Sequence, residues 1–570
     1  DKNKIKINTD KTHVIFNEYH PTDCVELENL KIQTTKSIKY LGAEIAANEE
    51  WKHSTFLIRT ENVAKEIIKR CKIIKQIRKY QIPGKVFQQA CHAFIGGIFN
   101  YYIAWIGGET AIKQTMKPLE TAYKEYMRTF TGCIRSTPIA LLHAISRFPL
   151  IHDKILTECA LTVIKAEAQG NLLGKDYQEW DREGCQFDGW TPFGRVRHAI
   201  ERSAARRFNG KIHPQEIIGS KTQDLLSRCK FNMYTREEAI ELHKNSLLIP
   251  ESRDIEIWTD GSLSRDRLGG ELTIHAGAAA IVHITNFEEQ TAIEEHPVKI
   301  AQKIENAVSS YETEIVAIQT GLEVIVQLKL TDRKIHLFTD SLSCIHQLAT
   351  LPYKYKFTNS VVVNVTEQLA EVAKNNEIEF HFIPSHTEDK IPQSEEIDKL
   401  AKHAAEQGDE DVDHDPFVSS YKLFLKNRER NKMLEYLKNK VRPSQFKGYP
   451  KRGRLIKGRI RIQKEDGEDT FETISSENAL LNRVRSGHTR ARVHLKNIGI
   501  ETNNKCRHCN RQIETVEHQL IKCKKYKKRL ETFRRKYEEL EIDCFNSALY
   551  SHATFMAEFL SYAYKKGCFI

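Results

Sequence analysis

The sequence has 570 residues, of which 40% are hydrophobic and 29% charged, a composition typical of a soluble protein. This length excludes a single hydrophobic core, and roughly three or four domains are expected. The formal net charge of +11 favours an acidic partner such as nucleic acid, although a basic protein without such a partner has the same bulk charge.

Neither secretion nor membrane insertion is indicated by the sequence. Its longest uncharged stretch, residues 93–108, is shorter than the roughly 20 apolar residues that span a bilayer. The N-terminus is polar, lacks a signal-peptide pattern and does not begin with Met, which leaves open that the chain is a fragment of a longer polyprotein. Its thirteen cysteines are mostly scattered, unlike a disulfide framework. We therefore expect an intracellular protein that binds no membrane, with nuclear or nucleo-cytoplasmic localisation.

The hydrophobic periodicity divides the chain into strand-rich and helix-rich segments, which together predict a multidomain α/β protein. In chain order these are residues 1–60 with short strands, 61–165 with helices, 166–251 as a connector, 252–406 with strands followed by helices, 407–420 as an acidic linker, and 421–570 as a basic helical region.

Four carboxylates in the segment 252–406 lie at informative positions. Asp260 and Asp340 each follow an alternating strand pattern, at "IEIWTD" and "IHLFTD". Glu314 lies in a helical pattern, and Asp398 lies in the first turn of another. Two adjacent strands that both end on Asp would place these side chains at one sheet edge, and a helix packed across the sheet would bring Glu314 there. The pattern therefore predicts an acidic site.

Clustered carboxylates repel one another unless cations neutralise them, and oxygen ligands suit Mg²⁺ or Mn²⁺ and not Zn²⁺. Two such ions about 4 Å apart would also bind the attacking and leaving oxygens of a phosphodiester. Each residue also has a simpler interpretation. Asp260 could belong to an ordinary Asp-Gly-Ser turn, Glu314 to a solvated helix face, and Asp398 to a charge that complements the helix dipole. The order strand–Asp, helix–Glu, strand–Asp, helix–Asp favours the metal site.

At these residues the sequence resembles the ribonuclease H family. The motifs, in the family's order, are "TDGS" (259–262), "ETEIVAI" (312–318), "TDS" (339–341), "IPSH" (383–386) and "EEIDKLAK" (395–402). The resemblance implies a mixed five-stranded sheet with flanking helices. It also implies cleavage of RNA in RNA–DNA hybrids, with the four carboxylates as ligands of two Mg²⁺ or Mn²⁺ ions.

Further residues are assigned by this resemblance alone. His386 matches the family histidine that assists proton transfer or product release, and otherwise would be a surface loop residue. Ser309 and Ser310 lie where the family contacts the hybrid. The loop after His386 departs from the family pattern, because it reads "TEDKIPQSEE" where a glycine-rich turn is usual. This departure bears on the placement of the histidine more than on Asp398.

A cysteine–histidine cluster late in the chain predicts a structural zinc site. Cys506, Cys509, His518 and Cys523 have the spacing C-x2-C-x8-H-x4-C, which can close a tetrahedral Zn²⁺ site with no open position. His508 is a competing ligand, and a chance coincidence of four residues is the alternative.

Basic runs lie on either side of this cluster. Residues 421–460 contain 14 Lys or Arg against two Glu, and Lys451, Arg452 and Arg454 are the candidate nucleic-acid contacts among them. A charge run is usually only a solvated surface. Here the neighbouring nuclease pattern favours phosphate contacts with RNA, DNA or the hybrid, which give affinity without sequence preference.

The remaining motifs resemble the end of the palm, the thumb and the connection of reverse transcriptases from non-LTR retrotransposons. These motifs are "IKINTDKTHVIF" (5–16), "YLG" (40–42) and "LLHAISRFPL" (141–150), with "SGH" (486–488) before the cysteine cluster. No Tyr-x-Asp-Asp polymerase motif is present, so this chain is not expected to polymerise DNA. The resemblance implies the C-terminal portion of a retrotransposon polyprotein.

Three functions agree with these features. The first is a ribonuclease H acting on RNA–DNA hybrids. The second is a catalytically impaired nucleic-acid-binding module that keeps the nuclease fold, which the altered loop favours. The third is a nuclease that acts on duplex DNA. Oligomeric state, protein partners, host element and target site are not indicated by the sequence.

Overall fold

The structure is a computed structural model of the whole chain. It describes residues 12–14, 24–27, 30–35, 37–40, 43–46, 54–100, 113–183, 192–244, 254–268, 271–284, 297–353, 357–385, 391–407, 411–412, 415–441, 475–542 and 544–570. Among these residues, no helix is both long enough and apolar enough to cross a membrane.

Fourteen strands are formed by the described residues. They are β1 His13–Val14, β2 Cys24–Leu27, β3 Leu30–Thr34, β4 Ser37–Tyr40, β5 Ala43–Ala46, β6 Gln215–Glu216, β7 Lys230–Asn232, β8 Ile255–Leu268, β9 Glu271–Ile284, β10 Val298–Ile304, β11 Lys334–Thr339, β12 Thr358–Asn359, β13 Glu377–Phe382 and β14 Asp411–Val412.

The described α-helices are numbered α1 to α19 in chain order. They are α1 Ser54–Ile77, α2 Gly84–Cys91, α3 Lys113–Thr131, α4 Ile139–Ser146, α5 Ile151–Ala168, α6 Leu172–Arg182, α7 Pro192–Glu201, α8 Ser220–Leu226, α9 Arg236–Lys244, α10 Ser310–Leu328, α11 Leu342–Thr350, α12 Ser360–Val372, α13 Pro392–Gln407, α14 Val418–Lys440, α15 Ser475–Arg485, α16 Arg492–Asn497, α17 Glu531–Glu539, α18 Phe545–Ser551 and α19 Ala553–Lys565. Short π-helices occupy His92–Gly96 and His518–Lys522.

The chain forms two compact units. One, the helical unit, comprises residues 1–159, 187–196 and 427–570, and the other, the sheet unit, comprises residues 160–186 and 197–426. The described residues confirm short strands near the N-terminus and helices in the segment 61–165. All of these elements belong to the helical unit except the end of α5, which runs past residue 159 into the sheet unit. Residues 15–16 and 101–108 of the predicted segments lie outside the described residues.

The sheet unit is built on a seven-stranded mixed sheet in the order β14-β10-β9-β8-β11-β13-β7. β8, β9 and β10 are antiparallel neighbours, whereas β8, β11, β13 and β7 run parallel. Five of these strands lie within residues 252–406, so the mixed α/β sheet predicted for that segment is confirmed. β7 and β14, which are only two or three residues long, extend it at the two edges.

Helices cover both faces of the sheet because small residues let them approach. On one face α10 lies so close that a Cβ at Gly321 would be 2.6 Å from Cγ2 of Ile257. On the other face a Cβ at Gly277 would be 2.4 Å from the backbone nitrogen of Ala405 in α13. Burial on both faces explains why β11 reads as a nearly continuous buried run with little polar alternation.

Segments outside 252–406 contribute to the same hydrophobic core. Ile218 and Leu226 from α8 and its approach, Ala239 from α9, and Phe417 just before α14 are all buried in it. The backbone N–H of His213 donates to the Pro416 carbonyl at 3.0 Å. This hydrogen bond joins the segment before residue 252 to the segment after residue 406. These segments were predicted as a connector and a linker, and they supply packing that the sequence pattern did not indicate.

The helical unit contains a second core and a third. Helices α1, α2 and α3 enclose the second, which includes Ile67, Phe99 and Tyr126. The third surrounds two of the clustered cysteines and is closed by α19, where Met556 and Phe559 are fully buried.

Candidate active site and candidate zinc site

The parallel pairing of β8 with β11 places two aspartates side by side. Thr339 of β11 pairs with Thr259 of β8, so the next residue in each chain, Asp340 and Asp260, lies at the same level of the sheet. One expectation was wrong at this point. β8 does not end at Asp260, because its antiparallel pairing with β9 continues to Leu268. Only the parallel pairing of β8 with β11 stops at this level, so the end of β11 lies beside β8, which continues.

Glu314 reaches this edge from the first turns of α10. Gly261 follows Asp260, and a Cβ there would lie 2.5 Å from the backbone nitrogen of Glu314. Only glycine therefore permits this close approach of helix and strand. Ser309 caps the helix, since its side chain accepts from the Glu312 N–H and the Glu312 carboxylate accepts from the Ser309 N–H. The structure thus gives Ser309 a capping role, and the hybrid contact that the family resemblance implies for it stays a prediction.

Asp260, Glu314 and Asp340 form a compact carboxylate group, in which one oxygen from each residue lies within 4.8 Å of the others. Burial, followed by the charges of Asp340 and Asp398, raises the pKa of Asp260 from 3.8 to about 7. Burial, followed by the charges of Asp340 and Asp260, also raises the pKa of Glu314 well above its ordinary value. The group is thus costly to ionise in the absence of a cation.

The donor set fits a hard divalent cation. All three ligand atoms are carboxylate oxygens, which are the ligands that Mg²⁺ and Mn²⁺ prefer. Oε2 of Glu314 is also buried without a hydrogen-bond partner among the described residues. A buried, unsatisfied carboxylate oxygen beside two further carboxylates is what a cation would satisfy.

Asp398 lies near this group without belonging to it. It lines the same cavity as Asp260 and Asp340, and its charge contributes to the raised pKa of Asp260. Its Oδ2, however, accepts from Lys402 Nζ at 2.5 Å, one turn further along α13. The structure therefore brings three of the four predicted carboxylates together and places the fourth across the cavity, paired with a lysine.

The cavity between these residues has a volume of about 320 Å³. It is bounded by residues 258–260 of β8, by the end of β11, by the segment after β13 and by the start of α13. Its wall includes Trp258, Thr259, Asp260, Phe338, Thr339, Asp340, Ile383, Pro384, Ser385, Ile391, Ser394, Glu395, Ile397 and Asp398. Its wall thus combines carboxylates, hydroxyls and apolar side chains.

Several predicted contact residues cannot be placed. His386, Lys451, Arg452 and Arg454 lie outside the described residues, so their assignments stay predictions. Ser310 is exposed at the start of α10, where its carbonyl accepts from the Thr313 hydroxyl at 2.8 Å.

Sequence reasoning missed two residues that support the site. Glu312 is fully buried, and its Oε2 accepts from the Val308 N–H at 2.6 Å while its Oε1 accepts from the Ser420 hydroxyl at 2.5 Å. Ser420 is 108 positions away in the sequence, so no local pattern indicates this contact. The Ser-x-x-Glu pattern of Ser309 and Glu312 is a signal for the cap that could have been found.

The four residues of the cysteine–histidine cluster converge in the helical unit. Their ligand atoms lie within 4.8 Å of one another, with 3.9 Å between the sulfurs of Cys506 and Cys523 and 3.3 Å between Sγ of Cys509 and Nε2 of His518. A π-helical turn from His518 explains the unusual His-x4-Cys spacing. The N–H of Cys523 donates to the His518 carbonyl at 2.7 Å, which brings residues five apart onto one face.

Local interactions affect the cysteines of this cluster in opposite directions, since burial raises the pKa of Cys506 to about 11 whereas that of Cys509 is lowered. Burial raises the pKa of Cys509, but backbone N–H groups of Arg511 and Gln512 outweigh it and lower this pKa to about 6. The thiolate is the form that binds Zn²⁺, and three sulfurs with one imidazole match a structural zinc site. His508 is directed elsewhere, since its Nε2 lies 2.5 Å from the Tyr526 hydroxyl and it is not part of the converging group.

The sheet is mixed, has helices on both faces and gathers carboxylates where the parallel pairing of β8 with β11 ends. These features define the class of α/β domains with an acidic site. Residues 252–406 match the family model for RNase H. The chain therefore contains an RNase H domain. A search of the curated proteins gave no significant match.

Proposed function

We propose that this chain hydrolyses the RNA strand of RNA–DNA hybrids, with two divalent cations held by Asp260, Glu314, Asp340 and Asp398. The observation that carries the proposal is the convergence of the first three carboxylates at the end of the parallel ladder, in a domain that matches RNase H. When bound, Mg²⁺ or Mn²⁺ ions supply Lewis-acid stabilisation of the charge that develops on the scissile phosphate.

The chain's own residues fix where such a substrate would lie. Asp260 and Asp340 are held by the sheet, and Glu314 by the capped helix, so these ligands need little rearrangement. The cavity is lined by Asp260 and Asp340, and Asp398 lines it as well. His386 follows the segment that lines this cavity, and we propose that it transfers a proton or assists product release, as the family resemblance implies.

A cleavage assay with end-labelled substrates tests this function. We expect the full chain with Mg²⁺ to cut the RNA strand of a hybrid, and EDTA to abolish cutting. Asp340→Asn should abolish cleavage while hybrid binding stays measurable. Asp224→Asn, an exposed carboxylate on α8, is the matched control and should keep full activity. Full activity of Asp340→Asn would refute the assignment, and equal cutting of a DNA duplex would favour the broader nuclease.

A catalytically impaired binding module is the second candidate. The ion pair between Asp398 and Lys402 favours it, because the lysine competes with a metal for Oδ2 of this carboxylate. The loop after His386, which departs from the family pattern, favours it as well. Hybrid binding without cleavage, in Mg²⁺ and in Mn²⁺ alike, would support this candidate over the nuclease.

We further propose that the chain is part of a retrotransposon reverse-transcription protein and that the basic C-terminal region binds RNA or DNA. The order of the palm, thumb, RNase H and cysteine-cluster motifs supports this context, as does the net charge of +11. Such a protein would be intracellular with access to the nucleus. A tagged chain confined to another compartment would argue against the context without affecting the nuclease assay.

A further inference from the structure

A second group of metal-ligating side chains lies inside the sheet, away from the carboxylates. His336 of β11 pairs in register with Glu379 of β13, and Phe338 pairs with His381. All four side chains project from the same face, because residues two apart on a strand share a face. His336 is fully buried, His381 is 4% exposed and the Glu379 side chain is 13% exposed.

The three ligand atoms are spaced for one metal ion. Nδ1 of His336 lies 2.9 Å from Nε2 of His381, and Oε2 of Glu379 lies 3.9 Å and 3.8 Å from these two nitrogens. A triangle with these sides has a point about 2.1 Å from all three corners. That distance matches the usual Zn–N and Zn–O bond lengths of about 2.0–2.2 Å. The point lies in the plane of the three atoms, so a tetrahedral ion requires the two imidazoles, now 2.9 Å apart in hydrogen-bond contact, to separate by a few tenths of an ångström.

The neighbouring strand β7 orients two of these ligands. Lys230 Nζ donates to Oε1 of Glu379 at 2.8 Å, which leaves Oε2 directed at the imidazoles. The side-chain nitrogen of Asn232 lies 3.3 Å from Nδ1 of His381. Rotation of this amide by 180° presents its oxygen instead, which accepts from the Nδ1–H and leaves Nε2 deprotonated to bind the metal. Contacts of this kind commonly fix the tautomer and direction of metal ligands. Lys334 also approaches Oε1, at 4.0 Å, so both nearby cations lie on the far oxygen.

We propose that His336, His381 and Glu379 bind one divalent transition-metal ion, Zn²⁺ foremost, that ties β11 to β13. Two imidazoles and one carboxylate suit Zn²⁺ and its neighbours, whereas Mg²⁺ prefers oxygen ligands alone. Asp340 lies four residues beyond His336 along the chain, or about 13 Å at the rise of a strand. The ion therefore belongs to the framework beneath the acidic site and is independent of the proposed hydrolysis.

Cobalt substitution tests the proposal on the full chain. Metal-free protein is titrated with Co²⁺ in excess Mg²⁺, which occupies the acidic site. We expect two tight equivalents, one with the thiolate-to-cobalt charge-transfer band of the cysteine cluster and one with weak d–d bands only. His381→Gln and Glu379→Gln should each lose the second equivalent and keep the first. Glu377→Gln, an exposed residue two positions earlier on β13, is the matched control and should keep both.

A second measurement keeps the test decisive if the His381 variant misfolds. Protein with Cys509→Ser and Cys523→Ser, loaded with Zn²⁺, should retain one equivalent whose X-ray absorption spectrum reports only nitrogen and oxygen neighbours. Native mass spectrometry should count two Zn²⁺ on the unmodified chain. A single equivalent in the unmodified chain, with sulfur neighbours only, would overturn the proposal and leave these side chains as a hydrogen-bonded pair beside a glutamate.

Discussion

Replacement of Asp260 by Asn tests whether the carboxylate group is built for a cation. In the metal-free fold the pKa of Asp260 is raised from 3.8 to about 7, chiefly by burial and then by Asp340. The folded state thus retains a proton that the unfolded chain releases. Stability linked to this group is full below about pH 4 and is lost as pH rises to about 7. Asn cannot ionise and therefore escapes this loss.

The magnitude follows from the same values. Each pH unit between the unfolded and the folded pKa costs about 1.4 kcal/mol, so the wild-type chain loses about 3 kcal/mol between pH 5 and the folded value near 7. Replacing a carboxylic acid by an amide changes the free energy of unfolding by an amount that does not depend on pH. This amount cancels when the difference between Asp260→Asn and the wild type is compared at two pH values. We expect Asp260→Asn to gain about 3 kcal/mol on the wild type between pH 5 and pH 8.

Mg²⁺ should reverse this advantage, because a ligand at 100 times its Kd stabilises the form that binds it by about 2.7 kcal/mol. The measurement is urea unfolding at pH 5 and pH 8, read by pulsed hydrogen exchange on peptides from β8 and β11, since two compact units need not unfold together. Asp224→Asn is the exposed control and should follow the wild type. A constant difference between Asp260→Asn and the wild type at both pH values, or equal stabilisation of both by Mg²⁺, would refute the reasoning.

Three further predictions concern the supports of the two sites. Ser420→Ala should lower kcat by about 10-fold at unchanged hybrid affinity, because a lost hydrogen bond to a charged group is worth about 1.5 kcal/mol, whereas Ser227→Ala, at an exposed serine just after α8, should leave kcat unchanged in the same assay. Gly277→Ala should destabilise the sheet unit by about 2 kcal/mol or more in urea unfolding, since its Cβ would lie 2.4 Å from a backbone nitrogen of α13, while Gly97→Ala, which meets nothing within 4 Å, should be neutral or stabilising. Cys523→Ser should remove one bound Zn²⁺ and its thiolate band and lower the thermal stability of the helical unit; unchanged metal content would contradict the zinc assignment.

The acidic site was predictable because its signals are local. Alternating strands that precede Asp260 and Asp340, and a helical pattern around Glu314, fix both the element and the side-chain direction. The continuation of β8 beyond Asp260 was not predictable, since Asp-Gly-Ser is a turn sequence as often as a strand. What decides it is the pairing with β9, which is a tertiary contact.

Contacts between distant segments account for most of what the sequence left out. β7 has three residues, too few for a periodic signal, although it carries Lys230 and Asn232 to the inner histidine pair. The bond from Ser420 to Glu312 crosses the boundary of the matched family segment. Neither partner looks unusual within its own segment. The pair Asp398 and Lys402, by contrast, has helical i, i+4 spacing and was visible in the sequence.

The placement of Lys402 makes the four carboxylates unequal. Three of them share a buried site where ionisation is opposed by burial and by one another, so a cation relieves a cost that the fold already carries. Asp398 has its own counter-ion, because Lys402 contacts its Oδ2 and competes with a metal for that oxygen. The first cation should therefore bind to Asp260, Glu314 and Asp340, and Asp398 should contribute to a weaker second site. Metal occupancy at the second position, and with it the rate of hydrolysis, would then depend on how readily α13 gives up this ion pair.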